Sequence, residues 1–402
     1  MKNLSVEEAR ARMLARAPRL EAEAVALSAA AMGRVLAETV TATRDQPPFD
    51  ASAMDGWAVR FEDARTEARL KVAGESAAGA GYDARMQAGE AVRIFTGAPV
   101  PAGADTVVIQ EEARREGDVV TLGPVPEAGR HIRPRGGDFK AGEVLLAPGQ
   151  RLDPWGLSLA ASAGRPTLQL ARRPKVAILG GGDELATPGS EPGPWQIFES
   201  TTPALARLVE AWGGEALPRP RVADDLNAIV EAVRNCGADI VVTIGGASVG
   251  DRDLVRPALA QLGLELDVSS IAMRPGKPTF FGRLGDGRLA LGLAGNPASA
   301  LVGAELFLRS ILLAMQGADP QPRLETARTS RPLSASVARE RWMRARLTLG
   351  DDGVLTVDPF LEEDSSLVSI FARADALLRV PADAAACEAG SLVQVLRLGR
   401  VW

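Results

Sequence analysis

The sequence predicts a multidomain α/β-plus-β chain built around a doubly wound parallel sheet, and three observations point there. KVAILG at 175–180 and ADIVVTIGG at 238–246 read as buried strands that end in glycines and lead into helical segments. Residues 45–146 are rich in Gly, Pro and Val, with short apolar runs such as AVRIF, TVVIQ and DVVTL that read as strands joined by turns. After residue 318, RWMRARLTL, GVLTVDPF and LVQVLRL alternate in polarity, so a small β-domain is expected to close the chain.

Each element has its own signal. Ser5-Val6-Glu7-Glu8 is a capping box, and the helical spacing behind it predicts a helix over 5–17, before Pro18. A short helix is predicted over Ser28–Met32, and GRVLAETVTATRD then turns extended. PWGLSLAASAG (154–164) predicts a helix ending at a glycine. Between 173 and 318 the order is strand, helix (TPALARLVEAWGG), helix (DDLNAIVEAVRNCG), strand, then two further helices (DLVRPALAQLG and NPASALVGAELFLRSILLAM). That order is the grammar of a doubly wound sheet. PQPRLETARTSRP reads as a polar linker.

Composition narrows the function. The 402 residues suggest roughly two to four domains. A net charge of −5 argues against non-specific nucleic-acid binding, yet helix N-termini and a few local cations can still hold an anionic small ligand. Cys236 and Cys387 lack CxxC spacing and read as reduced thiols, and a single histidine leaves little for a Cys/His zinc site. The charged N-terminus does not read as a signal peptide, and no uninterrupted run of about 18 apolar residues suggests a membrane span. A cytoplasmic protein is the expectation.

The loop Gly245-Gly246-Ala247-Ser248-Val249-Gly250-Asp251 follows an Ile/Val strand and precedes a helix. Its glycines permit close approach, and its free N–H groups favour a phosphate; a tight turn without ligand is the bland alternative. GASVG also matches the G-x-S-x-G nucleophile elbow, but that elbow needs a histidine after the serine. The only histidine, His131, precedes Ser248, so Ser248 reads as a hydrogen-bond donor. Gly180-Gly181-Gly182-Asp183-Glu184 is a second loop at the carboxyl edge. Acids near such loops (Asp224, Asp225, Asp251, Asp253) suggest Mg²⁺, although Asp224 and Asp251 also read as helix caps. Met273-Arg274-Pro275-Gly276-Lys277-Pro278 presents two cations, and Asn296-Pro297 opens a helix. The β-region adds PPFDASAMDGWAVR, TGAPVP and RPRGGD, dense in acids and turn residues.

Taken in order, PPFDASAMDGWAVR, TGAPVPAGAD, IRPRGGDF, GGDEL, IGGASVGDRD, RPGKP and AGNPASA resemble molybdopterin molybdotransferases, the family that includes the E domain of gephyrin, over nearly the whole chain. The resemblance implies an elongated helical linker domain (1–44 and 147–172), a β-rich domain (45–146), an α/β molybdopterin-binding domain (173–318) and a C-terminal β-barrel (319–402). It implies a homodimer whose cleft joins the α/β domain of one subunit to the β-rich domain of the other. It implies transfer of molybdate onto the dithiolene of adenylylated molybdopterin with release of AMP, without nucleic acid or membrane. Carried over by motif, Asp55, Asp138, Glu184 and Asp253 are the implied catalytic acids. Glu184, Asp224 and Asp253 would hold Mg²⁺, and Thr96, Gly245, Gly246, Ser248, Gly250, Arg274, Lys277, Asn296 and Pro297 would hold substrate.

The chain departs from the family pattern at Gly181, Thr202, Ser270, Arg274 and Ala294. Arg274 keeps the charge of a usual lysine in a planar fork, whereas Ser270 loses it. A non-catalytic pterin-binding or scaffold homologue is the alternative that these departures allow.

Overall fold

The computed structural model describes residues 3–219, 221–246 and 254–399. By its own contacts the chain divides into two compact units, one formed by 1–37, 148–153 and 168–402, the other by 38–147 and 154–167.

The first unit holds a six-stranded sheet. Its strands in chain order are β1 (Lys175–Gly180), β2 (Glu215–Pro218), β3 (Ile240–Ile244), β4 (Glu265–Val268), β5 (Phe280–Arg283) and β6 (Leu289–Leu293). Across the sheet the order is β2-β1-β3-β6-β5-β4. β2, β1, β3 and β6 are parallel, and β5 runs antiparallel to both of its neighbours.

β1 and β3 read as continuous apolar runs because helices cover both faces. Val176, Ile178, Ile240 and Val242 face one core with Leu205 and Val209 of helix Thr201–Ala211. Ala177, Leu179 and Val241 face the other, with Ile229, Val230 and Val233 of helix Leu226–Arg234. The alternation is the period of two that a strand imposes.

Four strands of this sheet, β2, β4, β5 and β6, escaped the sequence reading. β2 is a four-residue edge strand ending in Pro218, which an edge tolerates because its N–H would face outward. β4 and β5 form the antiparallel margin, and β4 is half-exposed with only Val268 buried. The first helix, Val6–Arg16, starts at the expected capping box: Glu8 N–H donates to Ser5 Oγ at 3.1 Å and Ser5 N–H to Glu8 Oε2 at 2.9 Å. It buries Val6, Ala9 and Met13 in the same core as Ile311 and Met315.

The long helix Pro297–Gln316 is interrupted by a π-turn at Ala304–Leu308 and ends at Gly317, whose φ is +77°. Among the described residues it is the one helix long and apolar enough to cross a membrane, and 83% of its 18-residue apolar window is buried inside the protein. Glu305 and Arg309 interrupt its apolar run.

The same unit closes with a five-stranded barrel: β7 (Leu324–Thr329), β8 (Glu340–Leu349), β9 (Leu355–Pro359), β10 (Ala376–Val380) and β11 (Leu392–Arg397). The ring runs β8-β9-β7-β11-β10 and back to β8. Ala327, Met343, Ala345, Val357, Leu378 and Val395 fill it. β7 corrects the linker reading of PQPRLETARTSRP. Arg328 is exposed, the half-buried Glu325 pairs with Arg397 at 2.8 Å, and only Ala327 and Thr329 are buried, so the strand looks polar in sequence. Met273–Arg274 adds to β8 at Glu340–Arg341, which fixes the RPGKP turn against the barrel.

The second unit is mostly β. Its six-stranded sheet has the order Thr106–Ile109, Gly56–Val59, Glu90–Ile94, Arg69–Ser76, Val119–Leu122, Ala113–Glu116. The three apolar runs singled out in sequence are strands of this sheet; the eight-residue Arg69–Ser76 was not foreseen. Ala51–Ser52 pairs with Ile132–Arg133, which ties the PPFDASAMDG loop to the RPRGGD loop. The helix predicted at 154–164 forms at Pro154–Ser162 and lies in this unit.

Candidate active site

The carboxyl ends of β1 and β3 are where the chain reverses its winding direction, since β2 lies outside β1 and β6 lies beyond β3. Open α/β sheets bind ligands at such a point. A cavity of about 150 Å³ opens there, lined by Gly180, Gly181, Gly182, Glu184, Asp224, Thr243, Gly245 and Gly246, among others.

Backbone geometry builds this cavity. Gly181 bridges to Val222, and Val222 N–H donates to Gly180 O at 3.3 Å, which brings the segment carrying Asp224 beside the glycine loop. Gly182 has φ +132° and a side chain on it would collide with the Glu184 carboxylate, 2.4 Å from an added Cβ. The Glu184 side chain is thus folded over the glycine. The Arg221 guanidinium donates to Leu185 O at 3.0 Å and Gly182 O at 3.3 Å, holding the loop from behind.

Asp225, not Asp224, caps helix Leu226–Arg234: Ala228 N–H donates to Asp225 Oδ1 at 2.8 Å. The capping reading of Asp224 is therefore corrected, and its carboxylate is left to the cavity. Thr243 is buried at the cavity wall, and its hydroxyl has no hydrogen-bond partner among the described residues. An orphaned buried hydroxyl fits a polar ligand there.

No three His, Cys, Asp or Glu side chains gather as a metal site among the described residues. Glu184 and Asp224 nevertheless both line this cavity, and Mg²⁺ takes one or two carboxylates together with substrate phosphates. The donor set fits that hard cation. Ser248, Gly250, Asp251 and Asp253 lie outside the described residues.

A second, more open cavity of about 520 Å³ lies in the same unit between the RPGKP turn, the Gly295-Asn296-Pro297 turn and the barrel. Arg274, Lys277 and Asn296 line it as the sequence suggests, and Pro297 takes the first turn of its helix. The barrel adds Arg339, Glu363, Asp364 and Ser365, which sequence reasoning missed. Asn296 Nδ2 donates to Ser365 Oγ at 2.7 Å, and Ala298 N–H donates to Ser365 O at 3.0 Å. Arg274 is ion-paired to Glu363 at 3.0 Å. The polar run Glu362-Glu363-Asp364-Ser365-Ser366 was the available signal, but nothing local connects it to a loop about 70 residues earlier.

The second unit holds its own cluster. Thr96 donates to Asp55 Oδ1 through both its backbone N–H and its hydroxyl, each at 2.7 Å. Those two bonds hold the Asp55 carboxyl below its usual pKa range, with the Arg93 charge contributing last. Arg93 lies over the Trp57 and Phe95 rings and donates to Gly56 O and Gln110 Oε1. A side chain at Gly56 would come within 2.1 Å of Val108 O, so only glycine can follow Asp55 in this sheet.

Asp138 is exposed in the neighbouring loop, anchored by its N–H to Gln46 O at 2.9 Å. Asp45 and Asp50, in contrast, are ties: Arg135 Nε donates to Asp45 at 2.6 Å and Arg135 N–H to Asp50 at 2.7 Å.

Comparison with known proteins agrees along the whole chain. Residues 4–164 match the MoeA N-terminal region (domain I and II), 177–314 match a domain described as "Probable molybdopterin binding domain", and 326–398 match the MoeA C-terminal region (domain IV). A molybdopterin molybdenumtransferase of Nostoc sp. is 38% identical over 333 residues, covering 80% of this chain and 76% of the relative. One of Haemophilus influenzae is 32% identical, covering 98% of both. The crystal structure of a molybdopterin biosynthesis MoeA protein from Pyrococcus horikoshii OT3 superposes with a TM-score of 0.83 at 27% identity, covering 99% of this chain and all of that one. With the glycine-lined cavity, the paired acids and the full set of matched regions in one chain, this protein belongs to the MoeA family of molybdopterin molybdenumtransferases.

Proposed function

We propose that the protein transfers molybdate onto the dithiolene of adenylylated molybdopterin and releases AMP. The observation that carries this reading is the cavity at the β1/β3 switch point, lined by Glu184, Asp224, the Gly245-Gly246 turn and Thr243, whose hydroxyl has no partner among the described residues. Relatives named for this activity, 30–38% identical over most of the chain, support it.

In this mechanism Gly245 and Gly246, at φ +86° and +62°, let the backbone approach the phosphates closely. Thr243 donates its hydroxyl to the ligand. Glu184 and Asp224 would hold Mg²⁺, which would supply Lewis-acid polarisation of the phosphoanhydride. Lys277 and Arg339 supply positive charge for the oxyanion, and Asn296, fixed by Ser365, shapes that pocket. Asp55 stays ionised because Thr96 donates to it twice, and it acts with Asp138 on the reacting groups. The protein works as a cytoplasmic homodimer; sedimentation at micromolar concentration should give twice the chain mass.

The test is AMP release by purified protein given adenylylated molybdopterin, Mg²⁺ and molybdate. Release that needs molybdate and falls by orders of magnitude in Glu184→Gln supports the reading. Intact substrate after incubation contradicts it.

A further inference from the structure

The open cavity at the RPGKP turn holds a carboxylate where cations for an oxyanion are gathered. Glu363 reaches it from the barrel, and its two oxygens are divided between two guanidiniums: Arg274 Nη2 at 3.0 Å and Arg341 Nη1 at 3.3 Å. The side chain of Arg274 is 59% exposed and that of Glu363 25%, so this pair stands at the mouth of the cavity. Arg341 is 14% exposed and has further ties to Ser334, to its carbonyl at 2.6 Å and its hydroxyl at 3.3 Å. Arg341 therefore stays in place without Glu363, whereas Arg274 has no other ion pair among the described residues.

The neighbouring acid is occupied differently. Asp364 accepts from Ser366 N–H and Oγ, both at 2.8 Å. Lys277 and Arg339 line the same cavity and have no carboxylate partner among the described residues. Of the two carboxylates here, Glu363 is the one bonded to the cations.

We propose that Glu363 is a built-in counter-anion that sets the oxyanion affinity of this pocket. It holds Arg274 in the free protein and loses it to a tetrahedral dianion on binding. The inference rests on reading this cavity as the oxyanion end of the site. A guanidinium fork binds a carboxylate or an oxyanion by the same two-pronged geometry, so the two compete for Arg274. Glu363 also repels any anion that enters. Its presence weakens the binding of any oxyanion that must take Arg274 from it.

Equilibrium dialysis of molybdate against the full chain without pterin, with bound molybdenum counted by mass spectrometry, tests this. Glu363→Gln should bind molybdate about tenfold more tightly than the parent, and Glu363→Asp, which keeps the charge, should stay within about twofold of it. The KM for molybdate in AMP release should fall in parallel. If the Gln variant fails to fold, Glu363→Ala must shift affinity in the same direction. A purely structural role would instead loosen the barrel loop and weaken binding. Parent protein that binds molybdate while both neutral variants bind it equally or more weakly overturns the inference alone. Parent protein that binds no molybdate overturns the oxyanion reading of the cavity, and the inference with it.

Discussion

Thr96 spends two donors on one oxygen of Asp55, its N–H and its hydroxyl both 2.7 Å from Oδ1. No protein donor among the described residues reaches the other oxygen. Asp55 is thus held in place and kept ionised while one oxygen remains available.

The sign of its pH dependence follows. The folded-state pKa of Asp55 is lowered, so the interaction is present above the unfolded value and lost as pH falls through the lower folded one. Thr96→Val removes the hydroxyl bond and should move the acid limb of the pH–rate profile upward. Carbon-13 titration of the Asp55 carboxyl should show the same upward shift; an unmoved titration would contradict the assignment.

Asp224 and Asp225 are adjacent but should separate cleanly. Asp225→Ala removes a helix cap and should cost about 1 kcal/mol in unfolding free energy. Asp224→Asn leaves the cap intact and should leave thermal stability near the parent while reducing AMP release at least tenfold. Urea titrations and the activity assay on the two variants check this; reversed effects would place the functional acid at 225.

Lys277 lines the open cavity at the RPGKP turn without an ion-pair partner among the described residues. Lys277→Ala should raise the KM for molybdate about tenfold or more, equivalent to about 1.4 kcal/mol. Ser365→Ala removes the acceptor that orients Asn296 and should give a smaller rise in the same direction. Steady-state kinetics in varied molybdate decide both.

Glu305 is buried in the π-turn of the long helix, and burial pushes its carboxyl up to about 7, Arg309 at 4.0 Å lowering it only in part. A raised folded-state pKa leaves stability intact below the unfolded value and removes it as pH rises through the folded one. Stability should therefore fall between about pH 4.5 and 7 by up to roughly 3 kcal/mol. Glu305→Gln should flatten that decline and raise the melting temperature at pH 8 but not at pH 4.5. Calorimetry at the two pH values checks it.

What could be foreseen followed the range of the interactions. The Ser5/Glu8 cap, the strands KVAILG and IVVTI and the glycine loops after them are written in contiguous residues, so local rules find them. β2 and β7 are short or polar-faced strands whose place is set by partners far along the chain, as with Glu325 against Arg397. Glu184, Asp224 and the Gly245 turn could be suspected of meeting because all three follow strand ends. Glu363 and Ser365 could not, since the barrel meets the RPGKP and Asn296 turns through tertiary contacts such as the pairing of Met273–Arg274 with Glu340–Arg341. The choice of Asp225 over Asp224 as the cap turns on one register position, which sequence spacing leaves open.

The central claim is most directly tested by counting AMP released per chain when purified protein meets adenylylated molybdopterin, Mg²⁺ and molybdate. The account predicts stoichiometric, molybdate-dependent release that Glu184→Gln abolishes. Release that proceeds equally without molybdate, or none at all from the parent protein, would contradict it.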